Sequence, residues 1–498
     1  MNDINSKMPI LLIGNSFKYE IESTLKLFFH TARFNFAEDP ESIDTSSGDF
    51  AELSMSGDGR ELSARVRLGD KFDERSCTLP EGTEKKIQEH ELCRLLFHIL
   101  SDMTGIVPPW GLMTGIRPVK KVVELIQQGK SKDEIYSRLS GYYELSPSKL
   151  DIAYATAENQ LPILERIDSS AVSLYISIPF CPTRCSYCSF VSHSMASAIK
   201  LMPEYIAALC RELEITGELV KRTGTRIDTI YIGGGTPTSI SAEDLRTVME
   251  CIQRSFDLDS IREYSVEAGR PDTITEEKLR VIKDFGAQMI SVNPQTLNDD
   301  VLKVIGRKHS GEDFIRAYEC ARRIGFKNIN TDLIAGLPTE SFESFRHTLD
   351  SIIDLDPESI TVHTLTIKRS AELFANGGDY SSNPAAEMVD YSITKLMRNG
   401  YLPYYMYRQK NTVDNLENIG YAKPGFESFY NIFIMDETQT ILGAGCAAST
   451  KLVYPDGLIN RIHNYKYPYE YISRFDQLME KKEEAEECLR RINATKQK

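Results

Sequence analysis

A chain of 498 residues exceeds the size at which single hydrophobic cores stop growing, so two or three domains are expected. The composition, 41% hydrophobic and 26% charged, is that of an ordinary globular protein; with no long apolar stretch and no N-terminal signal pattern, it predicts a cytoplasmic protein without a membrane span. A net charge of −14 disfavours nucleic-acid partners such as tRNA, and ten cysteines in so long a chain are too dilute for a disulfide framework.

The first part of the chain, residues 1–168, predicts an accessory α+β domain. Candidate strands are apolar runs at Pro9–Ile13 and around Leu53 and Val66. Amphipathic patterns predict helices at Glu84–Met103, Val119–Gln127 and Ser148–Arg166.

Residues 169–385 alternate apolar, β-branched runs with amphipathic helical patterns. The six runs are Ser173–Pro179, Ile227–Ile232, Glu263–Ala268, Ala287–Val292, Asn328–Ile334 and Ser359–Leu365. Strands that are each followed by a helix pair in parallel through right-handed crossovers. The period predicts a partial (β/α)6 barrel, and the pattern by itself leaves an open doubly wound sheet as an alternative.

Residues 386–498 predict a C-terminal, mostly helical domain that covers the substrate. It contains the tyrosine-rich segment YLPYYMYRQKN and ends in EKKEEAEECLRRINATKQK. A charge run of this kind is typical of a solvated helix face.

Three cysteines lie in the loop that follows the first predicted barrel strand, in SIPFCPTRCSYCSF. Cys181, Cys185 and Cys188 are spaced so that three thiolates can be directed at one point. A zinc site would need a fourth ligand, and neither a second CxxC nor paired histidines accompany them. Iron–sulfur clusters are also held by thiolates, normally four. Three thiolates would leave one iron open for chemistry on a substrate.

The spacing Cys181-x-x-x-Cys185-x-x-Cys188 resembles the signature of the radical S-adenosylmethionine (SAM) superfamily, and the resemblance extends from about residue 171 to 450. The phrase YIGGGTPT after the second strand is similar to the motif that receives the amino group of SAM. The resemblance implies one 4Fe–4S cluster on the three cysteines, with SAM as cofactor. It implies the α/β fold class: a radical SAM (β/α)6 barrel with the two flanking domains described above. The implied SAM-binding residues of the motif are Gly233, Gly234, Gly235 and Thr236.

The surrounding phrases resemble the oxygen-independent coproporphyrinogen III dehydrogenase (oxidase) family. WGLMTGIRPVKK and YYMYRQKN are similar in particular to its HemZ branch. All but one of the family's further cofactor positions fall at or just after strand C-termini, where β/α barrels place their sites; the exception, Arg307, lies in a helix. These positions are Tyr175, Tyr187, Glu267, Gln295, Arg307 and Asp332.

The resemblance also implies a reaction. In the family, a 5′-deoxyadenosyl radical removes hydrogen from a propionate side chain of coproporphyrinogen III, and loss of carbon dioxide and an electron leaves a vinyl group. A tetra-anionic tetrapyrrole needs cations at the barrel mouth, and Lys368, Arg369 and Arg408 are candidates. A reductant such as flavodoxin or ferredoxin is the implied protein partner.

The pattern departs from the well-studied dehydrogenases at Phe190, where they carry a fourth cysteine. In this respect, and in YAKPGFES, the chain resembles the related haem chaperones. The histidine of the chaperone motif falls on Tyr430, and His463 is a possible substitute, although isolated histidines more often lie on the surface. The dehydrogenase reaction is therefore the leading hypothesis. A haem carrier and a radical enzyme acting on another tetrapyrrole or on RNA are alternatives, and the acidic charge argues against RNA.

Overall fold

The computed structural model describes residues 8–29, 32–39, 41, 48–188, 193–194, 199–366, 384–409 and 412–496. The chain divides into two compact units. Unit 1 comprises Met1–Ile116 and Leu125–Asp151, and unit 2 comprises Arg117–Glu124 and Ile152–Lys498. Among the described residues, no helix combines the length and the apolar character needed to cross a membrane.

Unit 1 contains a five-stranded sheet in the order β2-β1-β3-β4-β5. Its strands are β1 (Met8–Ile13), β2 (Phe34–Ala37), β3 (Phe50–Ser56), β4 (Glu61–Leu68) and β5 (Lys71–Thr78). The helices of residues 1–168 are α1 (Lys18–Leu25), α2 (Lys85–Thr104), α3 (Pro118–Gln127), α4 (Lys132–Tyr143) and α5 (Pro147–Leu164). The apolar core packs helices α1 and α2 against the sheet through residues such as Leu12, Ile21 and Leu96.

Of the elements predicted for residues 1–168, the strands correspond to β1, β3 and β4 and the helices to α2, α3 and α5, of which α3 and α5 lie largely in unit 2. Strands β2 and β5 and helices α1 and α4 were not predicted. Strand β5 has the sequence KFDERSCT, with most of its side chains exposed or half-buried. Strand β5 lies at the edge of the sheet and buries none of its side chains, so it shows little of the apolar alternation by which strands are predicted.

Unit 2 is built on an 11-stranded sheet in the order β14-β15-β13-β12-β11-β10-β9-β6-β16-β17-β18. Its first strands are β6 (Ala171–Ile178), β9 (Arg226–Gly234), β10 (Glu263–Gly269), β11 (Met289–Val292), β12 (Asn328–Ala335) and β13 (Ser359–Thr364). The short strands β7 (Phe180–Cys181) and β8 (His193–Ser194) pair separately with each other. The helices among them are α6 (Met202–Thr223), α7 (Ala242–Ser255), α8 (Glu276–Asp284), α9 (Asp299–Val304), α10 (Gly311–Ile324) and α11 (Phe342–Asp354).

The six predicted barrel strands are confirmed, and they pair in parallel in consecutive order from β6 to β13. A doubly wound sheet would reverse its strand order at a switch point, so the consecutive order supports the partial (β/α)6 barrel. Consecutive parallel order brings the C-terminal ends of all six strands to one edge, where the site is expected.

Residues 386–498 contain more helix than strand, as predicted. The helices are α12 (Ala385–Arg398), α13 (Phe429–Asp436), α14 (Pro468–Ser473) and α15 (Phe475–Lys496), and the strands are β14 (Leu402–Arg408), β15 (Glu417–Ala422), β16 (Ile441–Ala444), β17 (Ser449–Val453) and β18 (Ile459–His463). The strands extend the large sheet at both ends: β15 pairs antiparallel with β13, and β16 pairs parallel with β6. The division of this unit at residue 386 stays a prediction.

Candidate active site

The cysteine loop begins where β6 ends and is held by backbone contacts to the turn after α9. The amide of Ser186 donates to the carbonyl of Ile305 (3.1 Å), and the hydroxyl of Thr183 donates to the carbonyl of Gly306 (3.0 Å). Within the loop, the amide of Cys188 donates to the carbonyl of Cys185 (3.0 Å). These bonds fix the loop that carries the predicted cluster ligands.

The three cysteines form no disulfides; Cys185 is buried, and Cys181 and Cys188 are half-buried. The sulfur of Cys181 lies 3.5 Å from the hydroxyl of Thr236, and that of Cys185 lies 3.7 Å from Nη1 of Arg270. The buried guanidinium of Arg270 places a positive charge beside a sulfur that would be anionic as a ligand. Sequence reasoning missed Arg270, although it follows the third strand directly in SVEAGRPD.

The glycine motif continues β9 into a turn that packs against the cysteine loop. The amide of Gly235 donates to the carbonyl of Ile178, and that of Thr236 to the carbonyl of Phe180, each at 2.8 Å. A Cβ on Gly235 would lie 2.6 Å from the carbonyl oxygen of Phe180, so no side chain fits there. The predicted motif residues are thus joined to the predicted cluster loop by backbone bonds.

One partly exposed side chain lies inside each of six strands whose other interior positions are buried. Each lies in the C-terminal half of its strand, and contacts between neighbouring members place them on one face of the sheet. These side chains are Tyr175 (β6), Tyr231 (β9), Glu267 (β10), Asp332 (β12), His363 (β13) and Tyr407 (β14). We call this set the interior row. It contains three of the predicted cofactor residues and three residues that sequence reasoning missed.

The two carboxylates of the interior row differ in their ionisation. Glu267 accepts a hydrogen bond of 2.5 Å from the hydroxyl of Tyr231, and burial, together with the nearby charge of Asp332, raises the pKa of Glu267 to about 7. Burial also acts to raise the pKa of Asp332, but hydrogen bonds and the charge of His363 outweigh it, so this pKa lies below its ordinary value. Asp332 accepts bonds of 2.7 Å from the side-chain amides of Asn293 and Asn330.

Gln295 is held in a strained backbone conformation beside Asp332. Its φ is +67°, which is rare for a residue with a side chain, and its amide donates to the carbonyl of Asp332 (3.0 Å). Its side-chain oxygen is buried and has no hydrogen-bond partner among the described residues. Strain and an unpaired buried acceptor cluster at functional sites, where a ligand satisfies them.

Aromatic rings lie on both sides of this region. The ring of Tyr430, from α13, stacks on that of Tyr231 at a centroid distance of 4.4 Å, and both lie near Tyr175. On the cluster side, Nη2 of Arg307 donates to the hydroxyl of Tyr187 (3.2 Å). Tyr187 lies in the cysteine loop and contacts Arg307, and Tyr175 belongs to the interior row. Arg307 follows α9 and is not in a helix, contrary to the prediction.

Comparison with known proteins decides the family. The family model of the radical SAM superfamily matches residues 175–352. Over 414 residues the chain is 42% identical to the oxygen-independent coproporphyrinogen-III oxidase-like protein HemZ of Bacillus subtilis, covering 81% of this chain and 82% of that protein. The chain belongs to the radical SAM coproporphyrinogen-III oxidase-like family. It is also 34% identical over 280 residues to heme chaperone HemW of Bacillus subtilis, which covers 55% of this chain and 69% of that one.

The solved structure of coproporphyrinogen III oxidase (HemN) from Escherichia coli matches with a TM-score of 0.50 at 23% identity. It covers 64% of this chain and 72% of its own. At that identity the match shows the fold. It agrees with the radical SAM barrel that the strand order of unit 2 indicates.

Radical SAM proteins use a 4Fe–4S cluster and SAM, and these are the cofactors of this family member. The residues present fit both. Three thiols lie in one anchored loop, and each thiolate can bind one iron of a cluster. A single metal ion fits less well, since no three His, Cys, Asp or Glu side chains of the described residues converge on one point. The unpaired buried oxygen of Gln295 offers an acceptor for a polar ligand.

The predicted substrate cations are less well placed. Lys368 and Arg369 lie outside the described residues, as does Phe190. Arg408 is buried at the end of β14, where Nε and Nη2 donate to the carbonyl of Asn415 (3.2 and 3.0 Å), and burial lowers its pKa to about 10. A substrate contact by Arg408 stays a prediction.

Proposed function

We propose that this protein is a coproporphyrinogen dehydrogenase-type radical SAM enzyme that converts propionate side chains of a porphyrinogen to vinyl groups. The observation that carries the proposal is the junction of the cysteine loop with the glycine turn, next to the carboxylates of the interior row. The 42% identity to a coproporphyrinogen-III oxidase-like protein supports the choice of substrate.

In this proposal, Cys181, Cys185 and Cys188 hold the cluster. With cluster and SAM bound, the chemistry supplied would be one-electron reductive cleavage of the C5′–S bond of SAM, giving methionine and a 5′-deoxyadenosyl radical. Gly233, Gly234, Gly235 and Thr236 accept the amino end of SAM at the turn after β9. Its other polar groups would meet Glu267, Gln295, Arg307 and Asp332.

The aromatic residues exclude water and orient the ligands. Tyr175 and Tyr187 lie beside the cysteine loop, and the stacked pair of Tyr231 and Tyr430 closes one side of the interior. A dry site protects a carbon radical from side reactions. At the substrate, the β-carbon of a propionate would give one hydrogen atom to the radical, forming 5′-deoxyadenosine. Loss of the carboxylate as carbon dioxide and of one electron to a one-electron acceptor would then leave the vinyl group.

A haem-carrier function is the second candidate, because heme chaperones are among the relatives. The residue at the position of the chaperone histidine is Tyr430, which is buried and stacked on Tyr231. His463 lies on β18 at the end of the large sheet, with an exposed side chain. The ring of Tyr430 is buried in the stack, and His463 lies on the last strand of the sheet, so we favour the enzyme.

The test is an anaerobic assay of the reconstituted protein with SAM, dithionite and coproporphyrinogen III. We expect protoporphyrinogen and 5′-deoxyadenosine, both lost in Cys185→Ala and both kept in Cys210→Ala, which changes a cysteine outside the loop. Deoxyadenosine without decarboxylation would contradict the substrate. Tight haem binding without turnover would favour the carrier, and modification of tRNA would favour the RNA alternative. Flavodoxin or ferredoxin as reductant and a cytoplasmic location are parts of the same proposal.

A further inference from the structure

His363 occupies the interior row but has no assigned role. It lies on β13, the last of the six parallel strands, between Asp332 on β12 and Tyr407 on β14. Its Nε2 is 3.7 Å from Oδ2 of Asp332, and its Nδ1 is 3.3 Å from the hydroxyl of Tyr407. Its side chain is 29% exposed, so the ring borders the barrel interior.

The two neighbours hold the ring in one orientation. A lone pair on Nε2 would face the carboxylate of Asp332 and be repelled by it, so a proton on Nε2 is favoured. At 3.7 Å this contact is electrostatic and too long for a hydrogen bond. On the other side, Nδ1 and the phenol of Tyr407 form a hydrogen bond of 3.3 Å. Burial raises the pKa of Tyr407, so this phenol keeps its proton.

The charges around His363 argue against direct binding of an anionic substrate. Asp332 is ionised, and Glu267 is a second carboxylate close enough for the two charges to affect each other. A propionate placed here would meet these negative charges. Nε2 of His363 already faces Oδ2 of Asp332, the oxygen that also accepts from Asn293.

We propose that His363 is a positioning residue of the SAM site, whose Nε2 faces and compensates the carboxylate of Asp332, with Tyr407 holding the ring in place. The inference rests on the proposed function in one respect, the assignment of Asp332 to SAM. It adds two residues to the cofactor site that sequence reasoning missed. It predicts that SAM affinity depends on a donor at the position of Nε2.

The experiment measures the dissociation constant of SAM by anaerobic equilibrium dialysis on the cluster-loaded protein. His363→Phe removes both ring nitrogens at similar size, and we expect affinity to fall about tenfold or more, since the partly buried carboxylate of Asp332 loses the polar group that faces it. His363→Gln retains a donor where Nε2 was and should stay within about threefold of the wild type. Tyr407→Phe should weaken SAM binding by about threefold or more. His347→Phe, on the exposed face of α11, is the matched control and should have no effect.

The outcomes separate this inference from the proposed function. An unchanged SAM affinity in His363→Phe, at wild-type iron content, would overturn the inference, as would a rise confined to the KM for porphyrinogen. A His363→Gln variant that binds SAM as weakly as His363→Phe would also overturn it. If His363→Phe does not fold, Tyr407→Phe and His363→Gln decide the matter. If wild type and variants bind SAM as expected and no porphyrinogen is decarboxylated, the inference stands and the proposed substrate fails.

Discussion

Gly233 and Glu267 are both predicted cofactor residues, and the carboxylate of Glu267 occupies the space that a side chain at residue 233 would need. They lie on neighbouring strands, and a Cβ on Gly233 would be 2.8 Å from Oε2 of Glu267 and 2.9 Å from Cε1 of Tyr231. Real Cβ atoms do not approach other atoms so closely. A side chain at residue 233 must therefore displace the carboxylate or the phenol that bonds to it.

Gly233→Ala should accordingly weaken SAM binding by about tenfold or more, because one misplaced hydrogen-bonding group at a charged site costs about 1.5–3 kcal/mol. The check is equilibrium dialysis of SAM. The matched control is Gly141→Ala in α4, where a Cβ would meet open space and alanine favours the helix. Equal SAM affinity in Gly233→Ala and wild type would show that Glu267 does not contact the cofactor.

A second prediction at this scale concerns Glu340, which lies just after β12. Burial raises its pKa to about 7, and it accepts bonds from the hydroxyls of Thr296 and Ser344. Its other oxygen has no partner among the described residues. The folded state therefore holds a proton that the unfolded state releases near pH 4.5. The stability contributed by the protonated form is complete below that pH and is lost as the pH rises through about 7.

Between those two pH values the free energy of unfolding should fall by about 3 kcal/mol because of this group. Glu340→Gln, an uncharged mimic of the protonated acid, should remove that part of the pH dependence. Urea unfolding at several pH values measures it, and Glu343→Gln on the exposed first turn of α11 should retain the wild-type curve. Parallel curves for Glu340→Gln and wild type would contradict the prediction.

At the scale of elements, helix α15 corrects the interpretation of the C-terminal charge run. The run forms a helix, and most of its charges are exposed, but Lys482 is buried and pairs with the buried Glu212 of α6 at 2.7 Å. Glu212 also accepts from the amide of Gly445 and from the side chain of Asn464. The run is therefore a solvated face along most of its length and an anchor at one residue. Composition cannot distinguish the two, because burial depends on which neighbour the helix packs against.

Lys482→Met should cost about 3–5 kcal/mol of unfolding free energy, because it leaves the buried carboxylate of Glu212 without its countercharge. The double variant Glu212→Gln with Lys482→Met should recover part of that loss. Lys221→Met breaks the exposed pair with Glu218 and should cost no more than about 1 kcal/mol. Chemical denaturation gives all three values, and a Lys482→Met loss as small as that of Lys221→Met would exclude the anchoring role.

For the molecule as a whole, the C-terminal segment completes the sheet that carries the site. Strand β16 pairs with β6, the strand that leads into the cysteine loop, from Ile441 opposite Ser173 to Ala444 opposite Ile176. Without β16, the edge of β6 would expose unpaired backbone groups on a strand whose side chains are almost all buried. The segment that was predicted as a covering domain is thus also part of the barrel's own sheet.

A chain that ends at Asp436 should therefore lose cooperative unfolding and aggregate through the free edge of β6. A chain that ends at Lys466 keeps β16, β17 and β18 and should remain folded, although destabilised by loss of Lys482. Size-exclusion chromatography and thermal unfolding by circular dichroism distinguish the two. A monomeric, cooperatively folded product from the shorter chain would show that β16 is dispensable.

The sequence by itself determined the six parallel strands and the cysteine loop, because both depend on local patterns. Buried parallel strands require apolar, β-branched runs, and cluster ligands require fixed spacing of cysteines. Predicted residues such as Gly233, Glu267 and Asp332 could be named because they lie at strand ends within recognisable phrases. Their roles as SAM ligands remain predictions.

Only the tertiary structure decided which side chains from distant strands meet. His363 and Tyr407 look like single polar interruptions of apolar strands, and Arg270 like one more charge after a strand. The strand β16 is too short to stand out. Strand register and order produce the interior row, the contacts of His363 with Asp332 and Tyr407, and the pairing of β16 with β6. They bring together residues far apart in the chain, and local propensity contains no information about such contacts.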